Sequence, residues 1–246
     1  MSILLHFGKM HYKPLFLVMN SPKIFLTATG LILLAGLITQ FTPAEKFQNI
    51  FNGKDFKGWY SFVDGYGKNS DRLKVFQIEP DGIIHVSGEK FGYLCTDQVY
   101  QNFHIKLEFK WGEKKWPPRL NEKRDSGLLY LIPADSVDKV WPCGIEAQIQ
   151  EGDVGDLWMI SNATIVVDGV RTKPGNFVRS IKKKDAEKPH GEWNLLEAII
   201  KDGHCQHIVN GLMVNEGFDA SIAKGKLLIQ SEGAEVYFRN IQLKKL

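Results

Sequence analysis

The segment FHIKLEFKW, residues 103–111, decides the fold of this 246-residue chain. Apolar and polar side chains alternate over its whole length. Successive side chains of an extended strand point to opposite faces of a sheet, so the pattern predicts a strand with one buried face.

The same period of two recurs through most of the chain beyond residue 45. It predicts further strands at residues 73–79, 83–86, 92–96, 128–132, 145–150, 164–167, 194–201, 204–209, 226–230 and 236–243. Asp202-Gly203 and Asn210-Gly211 predict tight hairpins, and one short helix is predicted at residues 219–224. Many short strands with glycine turns predict an all-β fold, a two-sheet antiparallel β-sandwich or jelly roll.

The first 44 residues differ from the rest. They contain Lys9, Lys13 and Lys23, no Asp or Glu, and an apolar run at residues 24–38 that is followed by Thr-Pro-Ala. The run is shorter than the roughly 20 residues that span a bilayer, so a cleaved signal peptide is favoured over a transmembrane anchor. We expect residues 1–44 to be a signal peptide, residues 45–246 to form a single domain, and the protein to be exported to the periplasm or outside the cell.

Charge and cysteine content exclude several classes of function. Without residues 1–44 the chain has 28 Lys and Arg against 28 Asp and Glu, so no net charge attracts nucleic acid or an anionic membrane. Cys95, Cys143 and Cys205 are widely spaced and form no CxxC motif. This excludes a disulfide framework and a cysteine-based zinc site, but leaves open one disulfide or three thiols.

The segment GIEAQIQE, residues 144–151, is the strongest functional candidate. Its alternation places Glu146, Gln148 and Gln150 on one face of a half-buried strand, and such groups match sugar hydroxyls as donors and acceptors. Glu151 would face the other way, unless a bulge returned it to the face of Glu146 to form an acid and base pair. A solvated polar face is the plainer alternative.

Other candidates lie nearby. Arg124 and Asp125 precede an apolar strand and could orient a ligand oxygen, or form only a surface ion pair. Trp141 and Trp158 could stack on a sugar. The acidic turn with Glu151, Asp153 and Asp156 offers oxygen ligands for a structural Ca²⁺, although a plain loop fits it better. Long loops at residues 113–125 and 170–190 are further candidates for function.

Several short motifs in order point to a known family. They are FNGKDFKGW at residues 51–59, KRDSGLLY at 123–130, EAQIQEGDVGD at 146–156, GEWN at 191–194, VNG at 209–211, LIQSEG at 228–233 and FRNI at 238–241. Together they resemble the 3-keto-disaccharide hydrolase domain family, found in secreted proteins of glycan-degrading bacteria. The resemblance implies a concanavalin A-like lectin/glucanase sandwich.

The resemblance also implies an unusual chemistry. A separate sugar 3-dehydrogenase first oxidises the 3-hydroxyl to a ketone, which acidifies the C2 proton. A base removes that proton, the glycosidic oxygen leaves by elimination, and water adds to the enone. Cleavage by this chain requires no cofactor, and its substrate is the oxidised glycoside.

These expectations assign roles to ten residues. The predicted catalytic residues are Glu146, Glu151 and Asp125. The predicted substrate-binding residues are Arg124, Gln148, Gln150, Asp153, Trp141, Trp158 and Arg239, with Arg124 or Arg239 placed to stabilise enolate charge.

The pattern departs from its relatives at two positions. Gln148 stands where the Glu-x-Asp-x-x-Glu motif of laminarinase- and lichenase-type enzymes has Asp, which argues against an ordinary glycosidase. Leu131 stands where members of the family carry a His. Two other functions remain open, a non-catalytic carbohydrate-binding module and a conventional glycoside hydrolase.

Overall fold

A computed structural model describes residues 45–246, so the predicted signal peptide lies outside the described residues. No helix occurs within residues 45–246. The strands, in chain order, are β1 (Gln48–Asn49), β2 (Trp59–Val63), β3 (Gly67–Lys68), β4 (Phe76–Ile78), β5 (Ile84–Val86), β6 (Gly92–Thr96), β7 (Phe103–Lys115), β8 (Asp125–Ile132), β9 (Gly144–Gln150), β10 (Leu157–Ile160), β11 (Val166–Val167), β12 (Val170–Arg171), β13 (Phe177–Ser180), β14 (Asn194–Lys201), β15 (His204–Val209), β16 (Leu212–Gly217), β17 (Lys226–Ser231) and β18 (Ala234–Lys245).

Two antiparallel sheets of eight strands face each other. The first has the order β16-β15-β14-β7-β18-β5-β4, with β1 also paired to β18, and the second has the order β13-β10-β9-β8-β17-β6-β2-β3. Strands β11 and β12 form a separate ribbon. The predicted all-β sandwich is therefore confirmed.

The core lies between the two sheets. Strand β7 contributes Phe103, Ile105, Leu107 and Phe109, all fully buried, which are the inward positions of the alternating segment. Strand β9 contributes Ile145, Ala147 and Ile149 from the facing sheet. Because β9 buries these residues inward, its polar residues point away from the core, onto the outer face of the second sheet.

Both predicted hairpins are present. Asp202-Gly203 joins β14 to β15, and Asn210-Gly211 joins β15 to β16. All four residues have positive φ, between 48° and 82°, as a type I′ turn requires.

The structure corrects one sequence prediction, adds strands that the sequence did not reveal, and decides between the two alternatives left open for the cysteines. Residues 219–224 form bends rather than a helix. Strands β2, β10, β13 and β16 and the two-residue strands β1, β3 and β12 were not predicted. Strands β2 and β10 do not alternate, and β13 is a short edge strand in a lysine-rich stretch. The three cysteines are free thiols, so no disulfide forms.

Candidate functional site

A cleft of about 410 Å³ opens on the outer face of the second sheet. It lies over β8, β9 and β10, and two long loops contribute to its walls. Its lining residues are Arg119, Asp125, Trp141, Glu146, Gln148, Gln150, Trp158, Ile160, Phe177 and Glu232.

Strand β9 supplies the polar floor. Its register with β8 and β10 is continuous, so Glu146, Gln148 and Gln150 all point into the cleft. Strand alternation predicts that these three side chains share a face, and the plainer alternative is that this polar face is solvated. Glu146 is only 4% exposed and Gln148 only 7% exposed, so the outer face is also covered and these polar groups are desolvated.

Arg119 joins two carboxylates across the cleft. Its Nη2 lies 2.7 Å from Asp125 Oδ2 and also contacts Glu232 Oε1. The residue sits in the loop between β7 and β8, in a turn where its N–H donates to the Trp116 carbonyl. Gln150 Nε2 donates to the same Asp125 oxygen at 2.6 Å. The loop at residues 113–125 therefore delivers a cation to the cleft.

The three carboxyl groups cannot all be ionised beside one guanidinium. Burial, then the Glu232 charge, raises the pKa of Asp125 to about 8. Burial, then the charges of Glu232 and Asp125, raises the pKa of Glu146 well above its ordinary value. Burial also raises the pKa of Glu232, against the opposing effect of Arg119. Carboxylates in a desolvated site repel one another, so ionisation of one carboxyl favours protonation of its neighbours. The cluster therefore holds both protonated and ionised carboxyls near neutral pH.

Gly127 provides the space for the Glu146 side chain. A Cβ at this position would stand 1.9 Å from Glu146 Oε1 and 2.7 Å from Gln230 Oε1. No other residue type would leave room for the carboxyl group where it now lies. The glycine of the segment Asp125-Ser126-Gly127 thus sets the position of Glu146.

Unpaired polar atoms concentrate at this cleft. Within residues 45–246, five buried side-chain polar atoms have no hydrogen-bond partner. Three of them, Arg119 Nε, Asp125 Oδ1 and Trp158 Nε1, belong to lining residues, and a fourth, Gln230 Oε1, lies beside Glu146. Native proteins pair most buried polar atoms, so this clustering singles out the cleft as the candidate site for a polar ligand.

Aromatic and aliphatic side chains form the opposite wall. Trp158 and Ile160 alternate along β10, and Phe177 of β13 pairs with Ile160. The Trp141 ring meets the Phe177 ring edge-on at 5.5 Å and 88°. Both predicted tryptophans therefore line the cleft.

The loop that carries Trp141 is fastened to the sheet by Asp138. Tyr60 Oη and Tyr93 Oη donate to Asp138 Oδ1 at 3.0 and 2.6 Å, and Lys68 Nζ lies 3.9 Å from its Oδ2. Both tyrosines belong to a second apolar cluster on the outer face of the sheet, against which Trp141 packs. Asp138 thus helps to fix one wall of the cleft.

Four predicted site residues lie outside the cleft lining. Glu151 follows β9 without a bulge, and its carboxylate pairs with Arg124 and His190. Arg124 also donates to the carbonyls of Gly112 and Glu113. No bulge returns Glu151 to the face of Glu146, so the acid and base pair that a bulge would have formed is absent.

Asp153 and Arg239 are also engaged elsewhere. Asp153 pairs with Lys123 and Arg179. Arg239 pairs with Glu108 on the first sheet and covers the Trp193 ring, so it lies on the other side of the sandwich from the cleft.

The acidic turn does not have the geometry of a Ca²⁺ site. Cationic side chains already occupy the carboxylates of Glu151, Asp153 and Asp156. Within residues 45–246, no group of three or more His, Cys, Asp or Glu side chains is arranged to hold a metal ion. The described residues also contain no helix that is long and apolar enough to cross a membrane.

Leu131 packs in the core rather than in the cleft. It is fully buried, with a φ of 57°, at the point where the register of β8 and β17 shifts. A positive φ is unusual for leucine, and here it turns the side chain inward. Leu131 therefore contributes no group to the cleft.

Sequence reasoning missed five residues at the site. Arg119 and Phe177 lie in the two stretches predicted as long loops and candidates for function, although Phe177 begins β13, and nothing singled out the individual side chains. Ile160 belongs to an unpredicted strand. Gln230 and Glu232 lie within the LIQSEG motif at residues 228–233, and that motif was the available signal for both.

Comparison with known proteins agrees with this architecture. A protein from Parabacteroides distasonis ATCC 8503, described as a candidate glycosyl hydrolase, aligns with a TM-score of 0.57 and 25% identity over 81% of this chain and 94% of its own. A Bacillus subtilis protein with a galectin-like fold aligns with a TM-score of 0.54 and 11% identity, over 82% of this chain and 96% of its own. LamAcat from Zobellia galactanivorans aligns with a TM-score of 0.52 and 9% identity, over 84% and 98%.

The last two likenesses show the fold alone. No curated protein matches the chain. The family model described as a 3-keto-alpha-glucoside-1,2-lyase-like domain matches residues 46–244. The match extends over almost all of the described residues, and the family predicted from the sequence motifs is confirmed: the chain belongs to the 3-keto-alpha-glucoside-1,2-lyase-like, or 3-keto-disaccharide hydrolase, domain family.

Proposed function

We propose that this protein is a glycoside-cleaving enzyme that acts on sugars carrying a ketone at C3. Family membership and the likeness to a candidate glycosyl hydrolase support action on glycosides. The observation that carries the finer proposal is the buried cluster of Asp125, Glu146 and Glu232 around the single Arg119. Such a cluster supplies a base, an acid and a cation within one water-poor cleft.

Asp125 has the properties of the base. Its Oδ1 has no hydrogen-bond partner, while its Oδ2 is held by Arg119 and Gln150. Because burial raises its pKa to about 8, its carboxylate is a stronger base than a solvated one and titrates near neutral pH. It takes the C2 proton, and the C–H electron pair delocalises onto the C3 carbonyl oxygen to give the enolate, whose electrons then expel the glycosidic oxygen from C1.

Glu146 has the properties of the acid. Its pKa is raised well above the ordinary value, and the guanidinium of Arg119 is bonded to the other two carboxyls. In its protonated form it donates to the glycosidic oxygen as the C1–O bond breaks. Water then adds to C1 of the enone and a proton returns to C2, so the net products are the 3-keto sugar and the free alcohol.

Arg119 is placed to stabilise the enolate. Its Nε is buried without a partner, and a preorganised donor of this kind stabilises charge that develops only in the transition state. Gln148 and Gln150 would hold the remaining hydroxyls. The substrate must first be oxidised at C3, so a sugar 3-dehydrogenase is the proposed functional partner, and export through residues 1–44 remains part of the proposal.

The test compares aglycone release from 3-keto-glucosides with release from their unoxidised parents. We expect cleavage of the keto form alone. Cleavage of both forms would indicate a conventional hydrolase, and binding without cleavage would indicate a carbohydrate-binding module.

The roles of the two carboxyls can be separated with Glu146→Gln. Loss of an acid slows release of an alkyl alcohol by about 10²-fold or more, but it spares a 4-nitrophenol leaving group, which needs no proton. Loss of a base slows both. Asp125→Asn should therefore abolish both reactions, whereas equal loss of both reactions in Glu146→Gln would contradict the acid assignment.

A further inference from the structure

We propose that the apolar wall of the cleft is an aglycone subsite, so that the preferred substrates are 3-keto-glycosides of apolar alcohols rather than oxidised disaccharides. This inference rests on the proposed function and specifies its substrate class. It assigns Trp141, Trp158, Ile160 and Phe177 to recognition of the leaving group.

The two sides of the cleft differ sharply in polarity. The acidic, amide and guanidinium groups come from β8, β9, the Arg119 loop and Glu232, while the apolar wall comes from β10, β13 and the Trp141 loop. In the proposed mechanism Asp125 acts on C2 and Glu146 acts on the glycosidic oxygen, so the oxidised ring lies against the polar side of the cleft. The group beyond the scissile bond therefore extends toward the apolar wall.

That wall is continuous. Trp158 and Ile160 occupy successive outward positions of β10, and Phe177 is the cross-strand partner of Ile160. Trp141 packs edge-on against Phe177 on one side and against Phe91 on the other, with a ring distance of 5.7 Å to Phe91. The only unpaired buried polar atom in this wall is Trp158 Nε1.

A second sugar ring would fit this wall poorly. Its hydroxyls would lose water against Ile160 and Phe177, which offer no hydrogen-bond partner, and a buried hydroxyl without a partner is costly. An apolar alcohol has no such groups. It would also cover Phe177, which is 53% exposed at the rim, and would thereby remove apolar surface from water.

The test uses three 3-keto-glucosides with alkyl leaving groups, whose aglycones are methanol, cyclohexylmethanol and glucose. We expect kcat/KM for the cyclohexylmethyl compound to exceed that for the disaccharide at least tenfold, the scale of discrimination that an apolar pocket supplies. Phe177→Asn should remove most of that advantage, chiefly through KM, and should lower kcat/KM for the methyl compound by a much smaller factor. Ile181→Asn is the matched control, because Ile181 is 66% exposed and lies outside the cleft lining.

Two results would overturn the subsite. One is turnover of the disaccharide equal to or faster than that of the cyclohexylmethyl compound. The other is a Phe177→Asn variant that slows all three substrates equally.

Failure of the proposed function can be distinguished from failure of the aglycone subsite. If no 3-keto-glucoside is cleaved, calorimetric binding of the same three compounds still decides the inference. Tighter binding of the cyclohexylmethyl compound that depends on Phe177 supports it, and equal binding of all three overturns it.

Discussion

Replacing Gly127 with alanine tests whether the position of Glu146 controls the reaction. Gly127 lies within β8 opposite Gln148 and does not have a positive φ, so its backbone accepts alanine. The added Cβ would stand 1.9 Å from Glu146 Oε1 and 2.8 Å from Glu146 Cδ. It would also stand 2.7 Å from Gln230 Oε1. The collision is thus with the ends of two side chains, and the Glu146 carboxyl group must move farthest.

The displacement sets the size of the effect. Ordinary van der Waals contact begins near 3.4 Å, so Oε1 must retreat by about 1.5 Å, which is the gap between that contact and the distance above. A misplacement of about 1 Å in a catalytic group costs on the order of 10²-fold in rate. We therefore expect kcat on an alkyl 3-keto-glucoside to fall about 100-fold, equivalent to about 2.7 kcal/mol of transition-state stabilisation.

Gly112→Ala is the matched control for this experiment. A Cβ at Gly112 would stand 2.3 Å from Glu235 Oε2, so the variant also forces a glutamate to move. However, Glu235 lies on β18 of the first sheet and not in the cleft. We expect Gly112→Ala to keep wild-type kcat while losing thermal stability.

The assay measures kcat for aglycone release together with the melting temperature of both variants. The reasoning is refuted if folded Gly127→Ala keeps kcat within about threefold of wild type. It is also refuted if the two variants lose equal fractions of activity, because the loss would then reflect general destabilisation.

Three further predictions follow from individual contacts. Arg119→Met leaves Asp125 and Glu232 buried without their cation, so kcat on a 3-keto-glucoside should fall by about 10² to 10³-fold, while Arg119→Lys should lie between that variant and wild type; equal activity of all three would contradict the role of Arg119. Burial lowers the pKa of His207 from 6.5 to about 4, so its contribution to stability is full above pH 6.5 and is lost as the pH falls toward 4; between pH 7.5 and pH 5 the free energy of urea unfolding of the wild type should therefore fall by about 2 kcal/mol relative to that of His207→Asn, because the buried carboxyls titrate alike in both proteins; equal pH dependence of the two proteins would contradict this. Asp138→Ala removes the acceptor of two tyrosine hydroxyls and should lower the free energy of unfolding by about 1 to 3 kcal/mol and raise KM, whereas Asp138→Asn, which keeps an acceptor oxygen, should be milder; equal effects of the two substitutions would argue against the hydrogen bonds.

The sandwich could be predicted because its strands obey one simple rule. Residues 103–111 alternate, and the inward residues of β7 do fill the core. Strand β10 could not be found in this way, because three of its four residues, Leu157, Met159 and Ile160, are buried by contacts on both faces. Alternation alone therefore does not reveal a short apolar strand such as β10.

The candidate site could be predicted only in part for a related reason. Glu146, Gln148 and Gln150 share a face through strand geometry alone, so alternation locates them together. Arg119 and Glu232 reach the same cleft through different segments, the loop between β7 and β8 and the turn after β17. Their convergence is a tertiary contact across 113 positions, and neither periodicity nor motif spacing reports it.

The central claim is cleavage by elimination, and the most direct measurement follows the C2 hydrogen. The 3-keto-glucoside is cleaved in D₂O, and the released 3-keto sugar is analysed by mass spectrometry and NMR, with the same sugar incubated beside the Asp125→Asn variant to correct for uncatalysed exchange. The account predicts one deuterium at C2 for every molecule of aglycone released. Release of aglycone with the original hydrogen retained at C2 would contradict it.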